Sequence, residues 1–373
     1  MTRVIAVGMF DSVHFARWLE QFQHQRIEFL LFPSSPHRRL HPKLSALLTA
    51  ELPATYSLVR FTRFAGLPLW VLDKILNNAL RGWLLRVTAW RFKPQFVHAL
   101  EIQNAGYVSM AALEKSKPTD LKLIVTNYGS DIFWFRKFPS HLAKIERLLA
   151  ITDQYASECE RDVRLARELQ FEGQVMSVRP NAGGFSNEIL RKTLRPITHR
   201  PVIAIKGYNG WAGRAHLAIE ALKVLKHRLL DYEIIFFSSN TSTVTRARRC
   251  AKETGLKITA YAKGALSHSE MLNLFGRSTL YLGLSVSDGI STSMLEAMAM
   301  GAIPVQTATA CCDEWFDETG VKVQDLSVAA VADAILEGIE LAKDPSNRIT
   351  NRETIRSKAS EDYVRDAALE FYR

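Results

Sequence analysis

Leu282-Gly283-Leu284-Ser285-Val286-Ser287-Asp288-Gly289-Ile290-Ser291-Thr292-Ser293-Met294-Leu295-Glu296-Ala297-Met298-Ala299-Met300-Gly301-Ala302-Ile303-Pro304-Val305 reads as one α/β unit. An apolar run ends as a strand, a loop of small residues turns, a helix begins near Ser291 and stops at Gly301, and a second strand opens at Ile303. Backbone N–H groups of Gly289 to Ser293 then point out of a helix N-terminus at the carboxyl edge of a sheet, a place suited to a pyrophosphate. Asp288 stands just before that helix and Glu296 lies inside it. Carboxylates beside an anionic ligand make sense as acceptors for its hydroxyls. As an isolated pair they would read as an N-terminal cap and a surface charge.

The same rhythm runs along the whole chain, with short apolar runs alternating with longer helical segments, which predicts α/β layering on parallel sheets. One series of strands is expected at Arg3–Val7, Ile27–Phe32, Phe96–Ala99, Leu121–Thr126, Leu149–Thr152 and Gln174–Ser177. A second is expected at Val202–Lys206, Glu233–Ser238, Lys257–Tyr261, Leu280–Leu284 and Ile303–Gln306. Between them Arg191 to Pro201 holds two prolines and no hydrophobic period, so it reads as a connector. The expectation is two doubly wound Rossmann-like domains, 1–196 and 197–354, with a C-terminal helix at about 355–373 packing back on the first.

Composition narrows the class. The 373 residues, 47% hydrophobic and 23% charged, exclude a disordered or fibrous chain and suffice for two cores. Cys159, Cys250, Cys311 and Cys312 have neither CxxC nor Cys/His ligand spacing, which argues against a disulfide framework and a structural zinc and for a reducing, cytoplasmic setting. The first residues read as a strand rather than a signal peptide, and no stretch is apolar enough to span a bilayer. Attachment to the inner face of the cytoplasmic membrane as a peripheral protein stays open. The formal charge is +10, and the first hundred residues hold most of it. Something acidic is expected to meet that half. No nucleic-acid motif accompanies it, so no nucleic-acid partner is expected.

Within Pro36 to Pro94, Leu69, Leu72, Leu76, Leu80, Trp83, Val87 and Trp90 recur every three or four residues, opposite Lys74, Asn77, Asn78, Arg81 and Arg86. Two readings stand. The helix packs its stripe on a sheet, or it lies in the headgroup region of an anionic membrane with Trp at the interface and cations near phosphates.

Taken whole, the 282–305 run resembles the Glu-x7-Glu signature of retaining GT-B glycosyltransferases, in particular glycosyltransferase family 4. Asp288 stands for the first Glu, Ile290-Ser291 replaces Phe-Gly, and Leu295 to Val305 matches closely. The resemblance implies that Glu296 holds the ribose hydroxyls of a sugar nucleotide, Asp288 a donor-sugar hydroxyl, and the amides of Gly289, Ile290, Ser291 and Thr292 the diphosphate. Near Lys206-Gly207 and Arg214, where the family has an Arg and a Lys for the β-phosphate, this chain offers Lys206 and Arg214 as neighbours of those places. Preplaced cations would stabilise negative charge on the departing oxygen.

On the N-terminal half, Gly8 to His14, His98 to Glu101 and Asn127 to Asp131 each follow an expected strand, where α/β sites collect. His98, Asn127 and Asp131 are the candidates there. By the resemblance their loops would line acceptor and donor sugar. Gly183, in Arg179 to Phe185, occupies the place of a family Pro-Asn-Gly turn.

The resemblance implies a GT-B fold, with two domains facing a central cleft, and a retaining hexosyltransferase. Its donor would be a UDP-, GDP- or ADP-sugar and its acceptor a saccharide or lipid-linked saccharide, as in cell-surface polysaccharide or lipopolysaccharide synthesis. No cofactor or metal is expected, because no Asp-x-Asp pair accompanies the diphosphate site. A nucleotide-sugar epimerase of the same fold and a non-catalytic sugar-nucleotide-binding module are the alternatives.

Overall fold

The computed structural model describes residues 1–35, 39–59, 66–181, 183–196 and 201–373. The chain forms two compact units, one of residues 1–184 with 362–373, the other of residues 185–361.

The first unit is built on a seven-stranded parallel sheet: β1 (Thr2–Gly8), β2 (Ile27–Pro33), β3 (Thr55–Leu58), β4 (Phe96–Leu100), β5 (Lys122–Thr126), β6 (Gln154–Ala156) and β7 (Gln174–Val175), in the order β3-β2-β1-β4-β5-β6-β7. The second holds β8 (Val202–Lys206), β9 (Glu233–Ser239), β10 (Lys257–Ala262), β11 (Ser278–Gly283), β12 (Ile303–Thr307) and β13 (Val321–Val323), in the order β10-β9-β8-β11-β12-β13, again parallel. In each sheet the strand order reverses between the unit's first strand and a later neighbour, β1/β4 and β8/β11. A crevice opens at the carboxyl ends of such a pair.

Central strands such as β4, β11 and β12 are buried throughout, which is why they read as continuous apolar runs. Edge strand β3 alternates between exposed and half-buried residues, and β13 has three residues. Neither carries a run long enough to stand out in sequence. The strand expected at Leu149–Thr152 is instead the end of a helix, Pro139–Ile151, whose Ile145, Leu148 and Leu149 face the core. The strand that follows it is Gln154–Ala156.

The change of unit comes at Gly184–Phe185, ahead of the expected connector. Phe185 bridges to Ser360, and the helix Pro345–Ala359 ties down the stretch that follows. Its Arg348 donates to the Arg195 carbonyl, Arg352 to those of Lys192 and Ile189, and Arg356 to that of Leu190. Residues 197–200 of the connector lie outside the described set. The tail that joins the first unit begins at Asp362 and ends with Phe371 and Tyr372 in an aromatic cluster with Trp18, Phe22, Phe29 and Phe96.

The stripe expected on one helix falls on two, Gly66–Ile75 and Ala79–Phe92, separated at Asn77 and Asn78, both in the left-handed region. Packing on the sheet through that stripe is overturned, because the face that goes inward is another one: Asp73, Asn78, Arg81, Gly82, Leu85 and Ala89. The reason is Gly82. A Cβ there would come within 2.7 Å of Ala111 Cβ and 2.9 Å of its carbonyl carbon, on the helix Tyr107–Leu113, so only the glycine face permits this approach. Arg81 and Asp73 form a buried ion pair, with Asp73 Oδ1 also accepting from the Leu80 and Arg81 amides. Trp83 and Trp90 are left outside. The side chain of Leu69 lies outside the described set.

Candidate functional site

The crevice of the second unit lies where β8 and β11 end side by side. Gly207 follows β8 because a Cβ there would lie 2.0 Å from Ser239 Oγ and 2.9 Å from the Phe237 carbonyl oxygen. Gly283 closes β11 for a similar reason, with Gln306 Oε1 and Tyr281 Oη within 2.7 Å of any Cβ. The loop 209–214 is pinned above them. Asn209 bridges to Arg214, Gly213 to Ser285, and the Arg214 amide donates to the Leu284 carbonyl.

Lys206, the last residue of β8, reaches across this junction. Its Nζ lies 3.6 Å from Asp288 Oδ2 and donates to Ser291 Oγ at 3.3 Å. Burial pulls its pKa down, but the Asp288 carboxylate, by charge and by hydrogen bond, works against that, and the ammonium is held above its usual range. Ser291 is the N-cap of the helix Thr292–Ala299, yet its hydroxyl bonds no helix amide. It is engaged instead by Lys206, by Tyr281 Oη at 2.9 Å and by Ser293 Oγ at 3.2 Å. Ser291 therefore offers the first amides of the helix no side-chain acceptor, at its positive end. Gly289 is the exception within the run, since its amide donates to Asp288 Oδ1 at 3.0 Å. Ile290 is buried and anchors the turn, while Thr292 is half-buried.

Glu296 is nearly buried on the same helix, and its Oε1 lies 2.9 Å from Nε2 of the exposed His268. Lys206, Asp288, Ser291 and the helix N-terminus thus meet at one junction, with Glu296 farther along its helix. Arg214 is turned differently. Its Nη1 donates to the carbonyls of Gly210, Trp211 and Gly213, so at rest it braces its own loop. Sequence reasoning missed five residues. His268, Tyr281 and Ser293 bond to residues of this site, and the buried Ser239 Oγ beside Gly207 and Gln306 Oε1 beside Gly283 lack hydrogen-bond partners among the described residues. A signal for His268 was present in Ser267-His268-Ser269-Glu270, which folds as a capping box opening the helix His268–Gly276.

The first unit treats its candidates otherwise. His98 does not line a site, which corrects its expected catalytic role. It is fully buried in β4, with Nδ1 2.7 Å from Tyr372 Oη and Nε2 2.7 Å from Thr126 Oγ1, packed edge-on against Trp18. Burial, and then the charge of Arg179, lowers its pKa to about 3. Asn127, expected to bind substrate, has both side-chain ends engaged, donating to Asp162 Oδ2 and accepting from the Ile132 amide. Asp131 Oδ2 accepts from the amides of Ile102 and Tyr128, and burial with the nearby Glu101 carboxylate pushes its own carboxyl well above the usual range. Gly183 has φ +84°, and its carbonyl accepts from Arg17. It is a turn residue.

Residues 186–354 match the family model described as glycosyl transferases group 1. That stretch, most of the second unit, is similar to the family, and the match supports glycosyl transfer as the activity. No curated protein matches the chain by sequence. Solved structures match it along its length. A glycosyltransferase from Rickettsia africae is 16% identical, with 100% of this chain and 97% of that one covered and a TM-score of 0.67. Anabaena HepE in complex with UDP-glucose is 12% identical, with 99% of each chain covered and a TM-score of 0.69. An E. coli trehalose-6-phosphate protein bound with UDP-2-fluoro glucose is 12% identical, with 99% and 98% covered and a TM-score of 0.73. At these identities the likeness is one of fold, and the fold is that of the two-domain GT-B class.

Proposed function

We propose that this chain is a retaining, metal-independent hexosyltransferase, and that the junction of β8 and β11 holds its nucleotide diphosphate sugar. One observation carries the reading. At the topological switch point, the uncapped N-terminus of the helix Thr292–Ala299 stands beside a lysine that is shared between Asp288 and Ser291. A diphosphate fits there because it accepts from helix amides and draws the ammonium away from a carboxylate that only partly neutralises it.

In this reading the amides of Ile290 to Thr292 hold the diphosphate and Glu296 accepts from the ribose hydroxyls, displacing His268. Asp288, once Lys206 turns to the phosphate, accepts from a hydroxyl of the donor sugar. Breaking the sugar–phosphate bond leaves negative charge on the β-phosphate oxygen, which Lys206, charged and drawn over when the diphosphate binds, is in place to stabilise. Arg214 adds to this only by leaving the carbonyls it now braces. The acceptor is a saccharide or lipid-linked saccharide hydroxyl, deprotonated with help from the leaving phosphate, so no protein base is needed. His98 has no part in the step, and Asp131 shapes the loop that follows β5.

The test offers UDP-, GDP- and ADP-sugars labelled in the hexose, with a lipid-linked saccharide extract as acceptor and with chelator present. Transfer of label with the anomeric configuration kept is the expected result. Binding of donor without transfer to any acceptor would leave a sugar-nucleotide-binding module, and epimerised donor would make the chain an epimerase.

A further inference from the structure

Fifteen large hydrophobic side chains stand exposed among the described residues, and six of them lie on one helical hairpin of the first unit: Val71, Leu72, Ile75 and Leu76 with Trp83 and Trp90. Ile75 is 72% exposed and Trp90 78%, so these are not rims of the core but an outer surface. On the helix Ala79–Phe92, Trp83, Arg86 and Trp90 follow one another at spacings that place them on one face, and Arg91 and Lys93 are exposed at its end.

The exposed charges of the helix Ala79–Phe92 and its end are Arg86, Arg91 and Lys93, and between Glu51 and Glu101 the sequence holds a single acid, Asp73. Asp73 is fully buried and paired with Arg81, so it offers the outside no negative charge. The geometry points to this hairpin as a docking surface for an anionic lipid bilayer. Its aliphatic residues and tryptophans enter the headgroup boundary while Arg86, Arg91 and Lys93 meet lipid phosphates. The hairpin lies on the membrane rather than across it, since no described helix is long and apolar enough to span.

Two other occupants fit less well. A second copy docked face to face would set Arg86, Arg91 and Lys93 against their own equivalents with no carboxylate between them. A nucleic acid would leave Val71, Leu72, Ile75 and Leu76 unused, because a phosphate backbone offers nothing for aliphatic side chains to bury against. The inference is independent of the donor site on the second unit, and its failure is separable from failure there.

Sedimentation of the full-length protein with vesicles tests it. Vesicles of phosphatidylcholine alone are compared with vesicles holding about a third phosphatidylglycerol, whose surface attraction is worth on the order of 1 kcal/mol per cation. Binding to the anionic vesicles should be at least tenfold stronger and should fall several-fold from roughly 50 to roughly 500 mM salt. The exposed Trp83→Ser/Trp90→Ser double variant should lose at least tenfold in partition while keeping its thermal shift with UDP. Equal partition onto neutral vesicles, or a double variant that binds as the parent does, overturns the proposal. So does a lipid-free dimer that Trp90→Glu dissociates, or RNA binding that survives in place of vesicle binding. A parent protein that gives no shift with any nucleoside diphosphate would count against the donor site alone.

Discussion

The two units carry the same construction at their switch points, a lysine-ended β8 beside β11 in one and a histidine-bearing β4 beside β1 in the other, yet they treat polar groups in opposite ways. In the first unit His98 spends both ring nitrogens on Tyr372 and Thr126, Asn127 spends both ends of its amide, and Asp131 clamps two loop amides. In the second unit Lys206 sits between two partial partners, and the helix beginning at Thr292 lacks a side-chain cap. Position at a sheet's carboxyl edge is shared, so position alone does not make a site. What separates the two edges is whether the chain itself satisfies the groups found there.

The contrast predicts that substitutions in the first set change stability and those in the second change ligand binding. The largest effect is expected from His98→Leu. It removes a partner from the buried Tyr372 and Thr126 hydroxyls, Tyr372 keeping only the bond from Trp18, and should cost about 2–4 kcal/mol in a denaturant titration, with nucleoside diphosphate affinity unchanged. Loss of affinity at constant stability would place His98 in the site after all.

Acid titration sharpens the same point. The histidine pKa of 6.5 is lowered to about 3 in the fold, so between those values the unfolded chain binds the extra proton. Stability from the neutral ring is fully present above about pH 6.5 and is lost as pH falls toward 3, and this part of the slope should vanish in His98→Leu. A variant whose acid unfolding parallels the parent's would show the slope to arise elsewhere.

Next in size is Lys206→Ala, which should weaken UDP binding and turnover by about 10- to 100-fold, or 1.4–2.8 kcal/mol, through loss of a charge-assisted contact. Calorimetry and initial rates measure it. Glu296→Ala should act on nucleotide affinity by about tenfold with a smaller further effect on kcat. Arg214→Ala should be the mildest, within about threefold on kcat/KM, because its guanidinium is engaged by its own loop. A loss as large as that of Lys206→Ala would mean that Arg214 leaves the loop carbonyls during the reaction.

Much of this was legible in the chain. The alternation of apolar runs and helical segments gave the α/β class, and the 282–305 stretch gave the strand, loop, helix and strand that frame the site, since small residues and Gly301 dictate those turns locally. His268 and Tyr281 were not legible as partners of that stretch. Tyr281 lies inside a strand that reads simply as apolar, and His268 comes to Glu296 from another helix. Nor did the hairpin at 66–92 announce its inner face, because it is apolar on several sides and its period favours the tryptophan stripe.

By itself, then, the sequence determined the layers, most of the strands and the loop that ends at Ser291, because turn chemistry and hydrophobic period act between near neighbours. Only the tertiary structure decided which polar groups are spent and which remain available. That choice rests on contacts between distant residues, His98 with Tyr372 in one unit and Lys206 with Asp288 in the other. It decided as well which side of the hairpin meets water. There a single missing side chain, at Gly82, let two helices approach closely and turned a tryptophan face outward.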